Sequence, residues 1–412
     1  MHSVLLLGSG KIGVMIARFL AGTGDYRVRV ADVDPQALRR LGDTADVEAI
    51  VADASSPDEL SSAVHGCQSV ISALNFRFNP LVAKVALDEG ASYFDLTEDI
   101  QTARCVRQVA PHAAPGQVFM PQCGLAPGFI SILAYHLTKA FDTLDAVHMR
   151  VGALPQFPAN ALNYNLTWST DGLINEYCNP CEAIHERRRI AVLPLEGLEG
   201  FSLDGIRYEA FNTSGGLGTL CETLDGRVRE LNYRTIRYVG HRDLMAFLVN
   251  DLRLGQRGSM LKDILEYAIP VTFQDVVVIF CAVTGWSGGQ FVQLSDARKI
   301  YQQTIGPEKG TGTFCPKGSE GAAQKRCLSP FPAWSAIQVT TAAGVCAALD
   351  LHLAGKLPDC GFVKQEDVDY DDFIDNRFGR YYLSGRPASA GRADSGSPSL
   401  DLDRARRHPQ PI

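Results

Sequence analysis

Val4-Leu5-Leu6-Leu7-Gly8-Ser9-Gly10-Lys11-Ile12-Gly13, followed 19 positions after its last glycine by Asp32, is the stretch that decides the fold. The apolar run reads as a buried parallel strand. Val14-Met15-Ile16-Ala17-Arg18-Phe19-Leu20 has the spacing of a helix packed on a sheet, and Tyr26 to Ala31 alternates into a second strand ending at Asp32. In such a unit Gly8 allows the tight turn, Gly10 lets the backbone approach a pyrophosphate, and Gly13 lets the helix sit close to the strand. Lys11 and Ile12 open a helix whose N-terminus faces that negative charge. A G-x-G-x-x-G alone is weak evidence. With strand, helix and acid around it, the stretch predicts a Rossmann dinucleotide-binding domain.

Asp32 points to NAD rather than NADP. Its carboxylate can accept from both ribose hydroxyls, whereas a 2′-phosphate would set like charges side by side. Two unit charges about 4 Å apart repel by roughly 4 kcal/mol at an effective dielectric of about 20. Val33-Asp34-Pro35 follows, so no arginine stands immediately after Asp32 to receive a phosphate.

Composition sets the outer bounds. A chain of 412 residues has room for two domains, and 46% hydrophobic with 21% charged residues is ordinary globular usage. A net charge of −7 with dispersed Lys and Arg offers no basic stripe, so no nucleic-acid partner is expected. Arg187-Arg188-Arg189 reads as a solvated turn. No uninterrupted apolar run approaches the roughly 20 residues that span a bilayer. The N-terminus runs straight into a strand without a signal-peptide pattern. Eleven scattered cysteines suit reduced thiols in the cytoplasm. Cys178-Asn179-Pro180-Cys181 has no second pair or nearby histidines, so a turn is expected there and no metal site.

Strand–helix alternation continues through Val47–Ala52, ending at Asp53, and Ser69–Leu74, ending at Asn75. Further strands follow at Ala91–Leu96 and Gln117–Gln122. Ligands in open α/β sheets sit beyond the carboxyl ends of the strands, so Asn75, Asp95 to Asp99, and Gln122 to Gly128 should converge on one crevice. Asp53 is expected to border the adenine. The Rossmann domain is assigned to residues 1–125. A mixed α+β domain for substrate binding and dimerisation follows at 126–333, with a flexible insertion at about 304–332. Residues 334–383 form a helix and segment that pack back on the body, and 384–412 a disordered tail.

Four segments of the second half are denser in polar and glycine residues than packing requires. They are Gly124–Phe129, Tyr164–Gly172, Phe211–Leu217 and Tyr233–His241. In this order after a Rossmann domain they resemble the saccharopine dehydrogenase family, including lysine 6-dehydrogenase, over residues 1–300 and 334–382. The resemblance implies a dimeric NAD(P)-linked enzyme acting at the ε carbon–nitrogen bond of a lysine-derived amino acid. Carried over by position, Ala126, Pro127 and Gly128 lie near the nicotinamide and substrate. Ser169, Ser214, Gly215, Thr235 and Arg237 line the substrate pocket, with Tyr164 and Trp168 either walling it or filling core. Fungal saccharopine reductases carry aspartate where this chain has Ala126, and a substrate-holding arginine is replaced near Ser214. Both departures look more like lysine 6-dehydrogenase, whereas Phe94–Asp99 and the long Trp168 segment look like bacterial proteins grouped with saccharopine dehydrogenases. The resemblance therefore implies a saccharopine-type enzyme, with lysine 6-dehydrogenase as the alternative.

Hydride can leave the carbon beside nitrogen only when the amine lone pair is free. A lysine-type ammonium has a pKa of about 10.4, so neutralising it at pH 7 costs about 4.6 kcal/mol. An acid/base group is therefore required. His241 is one candidate, although it also stands where it can cap a helix beginning near Asp243. Glu98 and Asp99 either stabilise the cationic imine or cap the helix that follows. Arg237 matches an amino-acid carboxylate with its planar fork, or else pairs with a structural carboxylate. A different class of protein, an NAD-binding sensor or scaffold without turnover, shares the same fingerprint.

Overall fold

The computed structural model describes residues 1–42, 44, 47–304 and 333–383. The expected insertion from residue 305 onward and the expected tail at 384–412 lie outside the described residues. The first half carries strands β1 (His2–Leu7), β2 (Tyr26–Asp32), β3 (Val47–Val51), β4 (Ser69–Ser72), β5 (Ser92–Asp95) and β6 (Val118–Met120). They form a parallel sheet in the order β6-β5-β4-β1-β2-β3. β1 and β4 are buried along most of their length, because helices cover both faces of the sheet. The fingerprint folds as the sequence predicts: β1 runs through Gly8, at φ +96°, into the helix Lys11–Ala21. A Cβ on Gly13 would lie 2.0 Å from the Gly8 carbonyl oxygen, so only glycine permits this helix to seat on the turn.

One strand escapes the sequence reading. Gly361–Phe362 pairs in parallel with β6 and extends the sheet to seven strands. Two residues are too few to show a period of two. The C-terminal segment thus completes the first domain rather than only leaning on it.

The second half is a mixed sheet of β7 (Thr143–Pro155), β8 (Cys181–His185), β9 (Arg188–Val192), β10 (Glu199–Leu203), β11 (Ile206–Asn212), β12 (Glu230–Tyr238), β13 (Asp275–Ser287) and β14 (Gln290–Tyr301). Its order is β10-β11-β12-β7-β13-β14, with the β8–β9 hairpin joined through β12. β12 and β7 run parallel, and their neighbours pair antiparallel. Glu186 and Arg187, at φ 48° and 64°, make the tight turn between β8 and β9, so the arginine triplet is an exposed hairpin end. Cys178 ends a helix and Cys181 opens β8, and both are free thiols.

The helix Ala336–Leu353 joins the halves. Among the described residues it alone is long and apolar enough to cross a membrane, yet 78% of it is buried inside the protein. Gly344 has no room for a side chain: a Cβ there would stand 2.5 Å from the Cys123 carbonyl oxygen. Ser335 and Gln338 form a capping box at its start, and Gln338 Nε2 donates to the Lys11 carbonyl at 3.1 Å. From the other domain, the fully buried Asp275 carboxylate accepts from the backbone N–H of Ala336 and, at 3.0 Å, of Ile337. A carboxylate at a helix N-terminus satisfies orphan donors and the positive end of the dipole. Asp275→Ala should therefore lower unfolding stability by about 2 kcal/mol, read as a lower urea midpoint; an unchanged midpoint would show that the helix docks without it.

Candidate active site

The carboxyl ends of the parallel strands face the second sheet across a cleft of about 160 Å³. From the first domain come Ile12, the Ala73–Phe76 turn after β4, Leu96 and Glu98 after β5, and Gly124–Pro127 after β6. From the second come Val151–Ala153 of β7, Tyr233, Thr235 and Arg237 of β12, and Trp168, Ser169, Gly172 and Glu176. Ile337 and Thr341 of the bridging helix close one side. Tyr233, Thr235 and Arg237 share a face because alternate strand residues point the same way.

At the nucleotide end the geometry fits a dinucleotide. A Cβ on Gly10 would meet nothing within 4 Å, and the helix it opens has no side-chain cap and no acid in its first turn. Its first amides are therefore free to bind an anion. Asp32 accepts from Ser9 N at 2.7 Å, Ser9 Oγ at 2.8 Å and Asp34 N at 2.9 Å, so it also braces the glycine turn. Asp53 stands just past β3 and is engaged by Ser55, whose hydrogen bonds hold its carboxyl below the usual range. Asn75 lines the cleft while its Oδ1 accepts from Arg77 N. Lys11 crosses between domains, its Nζ 3.5 Å from the Leu166 carbonyl. Gly128 sits behind the wall, where a Cβ would clash with Gly124 O at 2.0 Å.

Asp95, at the end of β5, organises the turns that carry the cleft residues. Its buried carboxylate accepts from Tyr93 Oη (2.6 Å), Asn79 Nδ2 (3.2 Å), Thr97 N (2.9 Å) and Gln122 N (2.8 Å). Burial nevertheless raises its pKa to about 6. These bonds fix the chain just before Glu98 and just before Gly124–Pro127.

Arg237 dominates the substrate end. It is 2% exposed, yet among the described residues no carboxylate lies within ion-pair distance of it. Neutral acceptors hold it instead: Nε donates to Tyr177 Oη at 2.9 Å, and Nη1 to the Ile236 carbonyl at 2.8 Å and Thr235 Oγ1 at 3.3 Å. Its guanidinium carbon lies 5.0 Å from the Tyr164 ring centre. Behind it, His241 Nδ1 faces the Leu162 carbonyl at 2.8 Å, which assigns its proton to Nδ1 and leaves Nε2 to accept from Tyr177 Oη at 3.0 Å.

That chain corrects the sequence reading of His241. The residue is fully buried, does not line the cleft, and burial with Arg237 nearby depresses its pKa to about 3. Both ring nitrogens are committed, so it supports Arg237 rather than exchanging protons. Its helix starts at His241 itself, not near Asp243. Asp99 is likewise a cap: its side chain accepts from Thr102 N at 2.7 Å. Tyr164 lies behind the wall, with Trp168 Nε1 donating to its hydroxyl. Ser214 and Gly215 also miss the cleft. Ser214 Oγ donates to the Asn175 carbonyl, and Gly215 packs so closely that a Cβ would fall 2.1 Å from Glu98 O. Ala126, Pro127, Ser169, Thr235, Arg237 and Glu98 do line it.

Two residues absent from the sequence reading matter here: Glu176 and Tyr177, on the helix Thr170–Cys178. Glu176 is 6% exposed and lines the cleft, and among the described residues its carboxyl has no hydrogen-bond partner. Burial, then the nearby Glu98, raises its pKa to about 8. Glu98 is pushed up to about 7, again chiefly by burial, and its Oε1 is unpartnered. The available signal was an acid one turn after Gly172, on the helix face that also buries Leu173.

Fold and cleft together define a two-domain protein in which a dinucleotide-binding fold faces a second, mixed sheet across a cleft. The chain belongs to the saccharopine dehydrogenase family: residues 124–378 match the saccharopine dehydrogenase C-terminal domain and 4–117 its NADP binding domain. Saccharopine dehydrogenase (NADP(+), L-glutamate-forming) of Saccharomyces cerevisiae is 28% identical over 185 residues, covering 42% of this chain and 40% of that protein. Mitochondrial alpha-aminoadipic semialdehyde synthase of Rattus norvegicus is 23% identical over 219 residues, covering 49% of this chain and 23% of that protein. The chain thus spans less than half the length of either curated relative. The apo saccharopine dehydrogenase (L-Glu forming) of Saccharomyces cerevisiae superposes with a TM-score of 0.70 at 16% identity, covering 93% of this chain and 96% of that one. That likeness is one of fold.

Tyr177→Phe should cost about 2 kcal/mol of stability, because it strands the Arg237 Nε–H and the His241 Nε2 in a dry site. Chemical denaturation checks this, and a loss below about 0.5 kcal/mol would show that the chain is not holding the guanidinium.

Proposed function

We propose that this protein is a pyridine-nucleotide-dependent oxidoreductase acting on the CH–NH or CH–NH2 bond of a lysine-derived amino acid. One observation carries the reading: Arg237, buried and lining the cleft, has no carboxylate within ion-pair distance among the described residues. A buried charge without a partner is costly. An amino-acid carboxylate entering the cleft supplies that partner through charge-assisted hydrogen bonds. Glu98 and Glu176, on the same cleft, suit the amine. The nucleotide, when bound, accepts the hydride; the residues of this chain bind, orient and handle the proton.

The charged lining favours the lysine 6-dehydrogenase-like form of this reading. Arg237 is the one cation among the cleft residues, and it shares the pocket with two carboxyls. Saccharopine adds the glutamate carboxylates to that of lysine, and those extra negative charges would meet Glu98 and Glu176 rather than a second cation. The Ala126 departure, which does lie on the cleft, points the same way.

For the nucleotide, the matched domain and the yeast relative carry NADP in their names. Asp32 supports NAD in this chain: its carboxylate stands at the end of β2, and the next arginines, Arg39 and Arg40, are exposed on a later turn. The nine cysteines of the described residues are all free, which supports a reducing compartment such as the cytoplasm. The homodimer implied by the family resemblance belongs to the same proposal.

Purified protein offered lysine or saccharopine, with NAD or NADP, should form reduced nicotinamide and ammonia with lysine. Turnover of saccharopine alone, with glutamate released, would assign the saccharopine form instead. No turnover of any amine despite nucleotide binding would leave a sensor. Asp32→Ala should raise the Michaelis constant for NAD more than that for NADP; an equal change in both would remove the ribose role. Arg237→Lys keeps the charge but loses the fork, and should raise the Michaelis constant for the amino acid about tenfold or more. The nucleotide constant should stay unchanged, and an unchanged amino-acid constant would sink the assignment.

A further inference from the structure

Glu98 and Glu176 come from different domains and line one cleft, beside the helix Thr170–Cys178. Glu98 follows β5, and its Oε1 lies 3.1 Å from where a Cβ on Gly172 would stand. Gly172 also packs on Trp168, whose ring leaves no room for a side chain at that position. Glu176 is one turn further along the same helix, and residues four apart share a helix face. Both carboxyls line the cleft, one buried oxygen of Glu98 is unpartnered, and Glu176 is buried to more than nine-tenths, with no hydrogen bond to its carboxyl among the described residues. Native proteins rarely leave such a buried oxygen unmet beside a second buried acid.

We propose that Glu98 and Glu176 share one proton across the domain interface and form the acid–base pair that discharges the substrate ammonium. The proposal rests on the amine-oxidising reading above. The substrate N–H bond breaks, an O–H bond forms on the ionised member of the pair, and the nitrogen keeps the electron pair. Ammonium and carboxylate thereby become neutral amine and carboxylic acid, so charge balances. The freed lone pair is what makes hydride departure to an oxidised pyridine nucleotide possible, and the pair later passes its proton to water.

The surroundings favour a shared proton over two ionised carboxyls. Asp95 and Asp99, near the end of the strand that carries Glu98, oppose its ionisation. Arg237 favours ionisation of Glu176, while Glu98 opposes it. Tyr233 of β12, Tyr164, Tyr177 and Cys181 also face Glu176, and all four are shifted toward the neutral form by burial. Two interacting acids of this kind titrate as a unit.

The sign of the resulting pH dependence is fixed. Both carboxyls sit above the ordinary glutamate value of 4.5, at about 7 and about 8. The folded state therefore holds more protons than the unfolded one across that interval, and stability falls as pH rises through it. Thermal unfolding of the nucleotide-free protein from about pH 5 to about pH 9 reads this directly. The wild type should lose melting temperature over that range. Glu176→Gln and Glu98→Gln should each flatten the decline and move the remaining transition to lower pH. Wild-type pH dependence in both variants would overturn the shared proton.

The catalytic half is read with lysine as the probe. Either variant should lower kcat by about a hundredfold or more, with a smaller effect on the Michaelis constant, and abolish the acid limb of the kcat profile. If the stability signature is present and the variants retain wild-type kcat profiles, the pair is not the acid–base group. If the signature is present but the wild type oxidises no amine, the functional reading fails while the shared proton stands.

Discussion

A buried guanidinium with no carboxylate in ion-pair distance among the described residues is the constraint around which the second domain is arranged. Stranding a charge in a protein interior costs several kcal/mol unless other groups compensate. Here the compensation is neutral: the Tyr177 hydroxyl, the Ile236 carbonyl, Thr235 and the face of Tyr164. Each of those groups is fixed in turn by something further back. Tyr177 donates to His241, and His241 donates to the Leu162 carbonyl. The result is a cation held in position with its charge still unmet, facing a cleft. The two glutamates answer the same field from the other side, since one ionised and one protonated carboxyl leave the pocket close to neutral.

The first domain meets this pocket through two buried aspartates. Asp95 ties together the turns after β5 and β6, so Glu98 and the Ala126–Pro127 turn are placed by a single carboxylate. Asp275 reaches from the second sheet to the N-terminus of the bridging helix, and that helix presents Ile337 and Thr341 to the cleft. Gln338 on the same helix holds the Lys11 carbonyl in the glycine loop. The nucleotide-binding loop and the substrate wall are therefore referenced to one rigid element. An account of the cleft that treats the domains separately would miss this.

Much of the fold was legible because it is written locally. A short apolar run, a glycine loop and an amphipathic helix specify a β-α-β unit within about 30 residues, and β1 to β6 all lie where the alternation places them. The two-residue strand Gly361–Phe362 carries no periodicity and exists only because β6 offers it an edge. The site was legible in part. Glu98, Ala126, Pro127, Ser169, Thr235 and Arg237 sit on the cleft, because strand ends and strand alternation fix them. His241, Tyr164, Ser214 and Gly215 are in the right neighbourhood but one layer back. Polar residue type and position along the chain cannot distinguish a residue that touches a ligand from one that holds its neighbour. Glu176 was hidden for the complementary reason: it lies within a helix between the quoted segments, and its importance comes from Glu98, which is distant in sequence.

The proposed reaction requires one cleft to seat a nicotinamide and an amino acid side by side, with the carboxylate on Arg237 and the amine on the glutamate pair. A crystal structure of the ternary complex with oxidised nucleotide and lysine tests it most directly. The pyrophosphate should lie at Gly10, the carboxylate within about 3 Å of the Arg237 guanidinium, and the side-chain amine within the same distance of Glu98 or Glu176. An amino acid bound with its carboxylate away from Arg237, or outside the cleft altogether, would contradict it.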